Sequence, residues 1–209
     1  MHSKFGLRWL LLLTSLGASC IFPQERSARP GDFDYYVLSL SWSPEFCYNH
    51  QSSPECSEHY GFIVHGLWPQ SRNGYGPEFC SHAPGPADIH SYLRIMPDPG
   101  LIRHEWAAHG TCSGLNADAY FALVRQAFES IRIPRPFLAP RSEMRASPAA
   151  VVRSFVEANP GLPPAAVELS CRGPYLQGVD ICLSKELHPT SCTIRHECRT
   201  QLVKIAPVR

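Results

Sequence analysis

Two short segments gather groups that can move protons. One is Phe62-Ile63-Val64-His65-Gly66-Leu67-Trp68-Pro69, and the other is His104-Glu105-Trp106-Ala107-Ala108-His109-Gly110-Thr111-Cys112. If the second is helical, Glu105 and His109 are four apart and share a face. His104 then lies about 100° round the same turn, and Gly110 is a natural terminator. Two imidazoles and a carboxylate at one helix end make a compact acid/base cluster. His65, at the end of a short apolar strand, supplies a third imidazole. Imidazole titrates near neutrality, so it can both take and give a proton under mild conditions. Any one of these histidines alone reads as readily as a surface or satisfied core residue. Grouped with a glutamate they point to an active site, where titratable groups collect.

Other chemistries fit less well. A zinc protease places two histidines four apart on one helix face. Here His104 and His109 are five apart, about 140° round a helix, and do not face one metal. No Gly-x-Ser-x-Gly motif is present, which disfavours a serine hydrolase of the elbow type. No Cys-x-x-Cys pair exists, so a structural zinc site is a poor match.

The elements that must position these groups are short. Residues 32–41 and 61–67 read as strands from their Tyr, Val, Ile and Leu content. Residues 43–57, with Pro44 and Pro54, read as a loop. Helices are expected over 88–96 and 102–109. Asp118 is placed to cap an amphipathic helix over 119–132, with Tyr120, Leu123, Val124, Ala127, Phe128 and Ile131 on one face. Residues 133–148 read as a proline-rich loop. Ser147 can cap a further helix to Ala158, with Pro148 at its first position. Strands are expected over 167–171 and 175–183, then an irregular tail to Arg209. Strands and helices without a βαβ rhythm indicate an α+β fold.

Residues 1–19 have the order of a secretory signal peptide: Lys4 and Arg8, then a short apolar run, then Gly17, Ala18 and Ser19. The run is about half the length a membrane span needs, so no membrane span is expected. Cys20 sits at the cleavage point, where it either leaves with the signal or carries a lipid. The other eight cysteines form an even set, which in an exported chain reads as four disulfides. The localisation expected is therefore secreted or periplasmic. The chain has 209 residues, 44% of them hydrophobic and 18% charged, enough for one globular domain with a real core. Its formal charge of +1 argues against holding nucleic acid through a broad basic surface at neutral pH. Ten histidines would make the chain cationic in mild acid, which suits an anionic substrate.

The two segments resemble the active-site signatures of the ribonuclease T2 family, and the strand Asp34-Tyr35-Tyr36-Val37-Leu38-Ser39-Leu40-Ser41-Trp42 and the order of the eight cysteines are similar to it as well. The resemblance covers about residues 33–198 and is looser toward the carboxy terminus. It implies a disulfide-stapled α+β fold, a central antiparallel sheet flanked by several helices, as one catalytic domain over residues 30–205. The activity implied is a metal-independent endoribonuclease that acts as a monomer on single-stranded RNA, without a cofactor and with low base specificity. The 2′-hydroxyl attacks its own phosphate to give a 2′,3′-cyclic phosphate, later opened by water.

In that family pattern His109 is the base, His65 the acid, Glu105 tunes the imidazoles and His104 binds the phosphate. Trp68 takes the position of a tryptophan that helps form a base pocket, with a core tryptophan as the other reading; Tyr75 is a second stacking candidate, and Gln70, a further substrate-binding candidate, stands where fungal members carry an acidic residue. The pairing implied is Cys47–Cys56, Cys80–Cys112, Cys171–Cys198 and Cys182–Cys192. One departure stands out: Ala108 occupies the position where many members carry a lysine. That change leaves a non-catalytic RNA-binding relative as the second reading, and Arg72 and Arg103 as candidate replacement cations.

Overall fold

A computed structural model describes residues 29–73, 76–193 and 198–209. Residues 1–19, expected to be a signal peptide, and Cys20 and Tyr75 lie outside the described residues. Strand β1 (Tyr35–Trp42) is buried along almost its whole length. A strand covered on both faces reads as a continuous apolar run rather than an alternation, which is what Tyr-Tyr-Val-Leu provides. It lies between β2 (Phe62–Gln70) and the later strand β5 (Tyr175–Leu183), antiparallel to both. Strand β4 (Val167–Arg172) pairs antiparallel with β5 on its other side. A three-residue strand, β3 (Met144–Ala146), pairs with β6 (Val203–Ile205), which touches the start of β5. The fold is α+β around this sheet.

Four helices complete it. Helix α1 (Ser43–Asn49) follows β1 directly. Helix α2 (Pro99–Ala108) carries the histidine–glutamate segment. Helices α3 (Ala117–Glu129) and α4 (Pro148–Ala158) put Tyr120, Phe121, Val124, Val151 and Phe155 into one core with Leu38, Leu40, Val64 and Leu67.

Several boundaries differ from the sequence reading, each for a local reason. Residues 43–57 are a helix and a 3-10 turn (Pro54–Ser57) rather than a loop. Pro44 and Glu45 suit a first helical turn, while the Cys47–Cys56 disulfide and the Arg172–Glu45 ion pair at 2.9 Å hold a helix too short to stand alone. The helix expected over 88–96 is a single 3-10 turn, His90–Tyr92. There the Ile95 carbonyl accepts from the Val64 N–H of β2 at 2.8 Å, and Pro97 follows. Helix α2 starts earlier than expected because Asp98 caps it, accepting from the Gly100 N–H at 2.6 Å, with Pro99 at its first position. Asn116, not Asp118, caps α3, accepting from the Ala119 N–H at 2.9 Å. Ser147 caps α4.

One irregularity bears on the site. Along the β1–β2 ladder, Ser39 faces Gly66 and Leu40 faces Val64. His65 is therefore the extra residue of a β-bulge. Bulges re-aim a side chain that a regular ladder would bury or expose in strict turn. Disulfides join Cys47–Cys56, Cys80–Cys112, Cys171–Cys198 and Cys182–Cys192.

Candidate active site

The bulge of β2 and the carboxyl end of α2 meet at Glu105. This residue sits on the inward face of α2 and its side chain is 1% exposed. One carboxylate oxygen, Oε1, lies 3.4 Å from His65 Nε2. The other, Oε2, accepts the indole N–H of Trp68 at 2.7 Å. The approach is close enough that a Cβ on Gly66 would collide with Glu105 Oε2 and Trp68 Nε1. A glycine inside a strand often marks such an approach, and here it admits the carboxylate.

The imidazoles flank this centre. The His65 side chain is 41% exposed, and its Nδ1 is 3.0 Å from the Ser41 hydroxyl on β1. His109 caps the end of α2, its own N–H donating to the Glu105 carbonyl at 3.0 Å. The Trp68 ring stands between the two histidines, with centroids 5.5 Å from His65 and 5.4 Å from His109. His104 is exposed on α2 and reaches the group through its charge, as one of the influences on His109.

The two imidazoles are biased in opposite directions. Burial pushes the His65 ring down, but the hydrogen bond and charge of Glu105, with smaller help from Glu55 and Asp180, outweigh it, and its pKa is raised. Burial also pushes His109 down. There Glu105 and Glu78 oppose it too weakly, the charges of His104 and His65 add to it, and the pKa is lowered. At one pH between them, one ring is protonated and the other neutral. A proton donor and a proton acceptor then stand on either side of one buried carboxylate.

A cavity of about 550 Å³ opens beside the cluster, lined among others by Val37, Trp68, Gln70, Glu78, His109 and Asp180. Gln70 Oε1 accepts from the Gly76 N–H at 3.1 Å, which fixes the amide at the wall. The sequence left Trp68 between core and base pocket; it lines the cavity and also holds Glu105. Ala108 is 2% exposed, so a longer side chain there would start inside packed groups. Arg72 is engaged elsewhere, donating to Thr190 Oγ1 at 3.1 Å and lying over the Tyr35 ring. Arg103 is exposed on α2. Among the described residues, no group of three His, Cys, Asp or Glu side chains could hold a metal ion. Sequence reasoning passed over Ser41 and Gly66. The lone glycine inside an apolar strand was the available signal for the second, while nothing local marks Ser41.

Comparison with known proteins identifies the family. Residues 33–192 match the sequence profile of the ribonuclease T2 family, and the chain belongs to that family. It is 43% identical over 100 residues to a ribonuclease of Aeromonas hydrophila, a stretch that is 47% of this chain and 46% of that protein. The chain thus spans about half the length of that relative. It is 32% identical over 162 residues to ribonuclease MC of Momordica charantia, covering 67% of this chain and 80% of that one. The solved structure of ribonuclease MC1 from bitter gourd seeds superimposes with a TM-score of 0.63 at 28% identity, over 81% of this chain and 98% of the other.

Proposed function

We propose that this member of the ribonuclease T2 family is an endoribonuclease that cleaves single-stranded RNA by transesterification. The observation that carries the reading is the convergence of His65, 3.4 Å from the buried Glu105, and His109, at the end of the same helix, beside one cavity; the raised pKa of His65 and the lowered pKa of His109 fit it. The neutral His109 ring takes the proton of a ribose 2′-hydroxyl. The 2′-oxygen bonds to the adjacent phosphorus, and the bond from phosphorus to the 5′-oxygen breaks. Protonated His65 gives its proton to that leaving oxygen. The products are a 2′,3′-cyclic phosphate end and a free 5′-hydroxyl. Water then opens the ring with the roles reversed: His65, now neutral, takes a proton from the water, and His109 returns one to the 2′-oxygen. Glu105 keeps His65 protonated through its charge, and Trp68 keeps Glu105 in place. His104 binds phosphate from the exposed side of α2.

Base selection is loose on this reading. An indole face stacks with any base, and the cavity wall beside Trp68 adds Gln70 and carboxylates rather than a base-specific fork. Tyr75 is the second stacking residue. Support for RNA as the ligand also comes from a ribonuclease MC1 variant solved in complex with 5′-UMP. The protein works as a secreted or periplasmic monomer, residues 1–19 acting as the export signal. Four disulfides suit an oxidising compartment, and among the described residues no helix is long and apolar enough to cross a membrane.

The test is incubation with a single-stranded RNA in the presence of a chelator, with the ends of the products identified by phosphorus NMR. Cleavage to 2′,3′-cyclic ends, and none of a 2′-deoxy strand of the same sequence, is the expected result. Chelator-sensitive cleavage, or binding without cleavage, overturns the reading.

A further inference from the structure

Phe79 has a combination of features that packing does not account for. Its backbone lies in the left-handed region at φ 52°, where a bulky side chain is strained. Among the described non-glycine residues, Leu187 shares this region at φ 63°. Leu187 packs its side chain against the core, which offsets the strain. The Phe79 ring is 63% exposed and gains no comparable burial.

The strain is held from several sides. The Phe79 N–H donates to the Ala108 carbonyl at 2.8 Å, the residue just before His109. The next residue, Cys80, is bonded to Cys112, three residues after His109. The preceding residue, Glu78, lines the cavity that Trp68 and His109 also line. An exposed aromatic ring is thus pinned to the helix end that carries His109, at the rim of the cavity. Strained residues that persist because their surroundings over-determine them cluster at ligand sites.

We propose that Phe79 is a stacking platform for an unpaired RNA base outside the Trp68 cavity, holding a neighbouring nucleotide while the scissile phosphate lies at His65 and His109. This rests on the ribonuclease reading above. A phenyl face accepts any base, so the contribution is to strand affinity rather than to sequence choice. Because Phe79 and His109 are tied to one helix end, a base stacked on the ring fixes the strand relative to the base of the reaction.

The experiment compares the full chain with Phe79→Gly and Phe79→Trp. The probe is a fluorescent single-stranded 2′-deoxy octanucleotide, which lacks the attacking hydroxyl and is not cut. Phe79→Gly is expected to weaken its binding about tenfold (~1.4 kcal/mol), within the range of one lost stack. It is also expected to keep or raise the melting temperature, because glycine accepts the left-handed backbone without strain. On a long RNA the loss falls on KM more than on kcat, and Phe79→Trp keeps wild-type affinity. If Phe79→Gly binds the octanucleotide as well as wild type while both cut RNA, the platform is overturned and the ribonuclease reading stands. A melting temperature lowered by several degrees overturns it too, because the ring then serves packing. A wild-type protein that neither binds the probe nor cuts RNA overturns the ribonuclease reading itself.

Discussion

Glu105 acts on both imidazoles, yet their pKa values are shifted in opposite directions because it contacts only one of them. His65 receives a direct contact through Nε2, whereas His109 feels the carboxylate at longer range and is dominated by burial. The proposed mechanism needs His109 neutral, at pH above its lowered pKa, and His65 protonated, at pH below its raised pKa. The pH–rate profile on RNA is therefore expected to be a bell with its optimum between the two pKa values. The acid limb reports His109 and the alkaline limb His65. Glu105→Gln removes the charge that raises His65, so its alkaline limb should move to lower pH while the acid limb moves less; an unshifted alkaline limb counts against the assignment. His65→Ala and His109→Ala should each reduce turnover about 10²- to 10⁴-fold, measured on the same RNA, and the double variant should lose far less than the product of the two. The identity of these residues was legible in the sequence because residue type and helical spacing suffice to group Glu105 with His109. Their opposite bias was not, since it depends on how deeply each ring is buried and on carboxylates from distant segments such as Glu55 and Asp180.

Two elements, a bulged strand and a capped helix, set the distance between the histidines. The bulge turns His65 toward Glu105 while Val64 and Leu67 stay in the core, and Gly66 leaves room for the carboxylate. Gly66→Ala should therefore displace Glu105 or Trp68 and cost about 10²-fold in turnover, the scale of a misplaced catalytic group. The check is a kinetic comparison alongside circular dichroism, with an intact spectrum and a lost rate as the expected pair. The strand carrying His65 and the helix carrying His109 were both readable, because apolar runs and the cap-and-glycine punctuation are local signals. The bulge was not, since a one-residue slip exists only relative to a partner strand. The short helix at Ser43–Asn49 was hidden for a similar reason: a disulfide and the distant Arg172 hold it. Residues 88–96 have helical spacing, but the Ile95 carbonyl is claimed by β2.

At the scale of the whole molecule, two disulfides adjoin the site: Cys182 and Cys192, bonded to each other, line the cavity, and Cys80–Cys112 anchors its rim. Cys80–Cys112 closes 32 residues of chain and ties the cavity rim to the residues just after His109. Replacing both cysteines by serine should lower stability by about 2–4 kcal/mol, read as a reduced melting temperature. It should also lower RNA cleavage at temperatures where the chain is still folded, because the rim loses its anchor. A variant that melts early but cuts at the wild-type rate would separate the bond from the site.

The same bond bears on how a cell can make such a protein safely. On the proposed reading, a chain on the ribosome is surrounded by the polymer it cleaves. In a compartment that keeps thiols reduced, the rim beside His109 is without its covalent tie, and on that reading the newly made protein is expected to be a poor nuclease. Export into an oxidising space would then complete the site only after the messenger and ribosomal RNA have been left behind. Toxicity should then track the redox state of the host cytosol: production without residues 1–19 should be tolerated in an ordinary reducing strain and harmful in one whose cytosol permits disulfides.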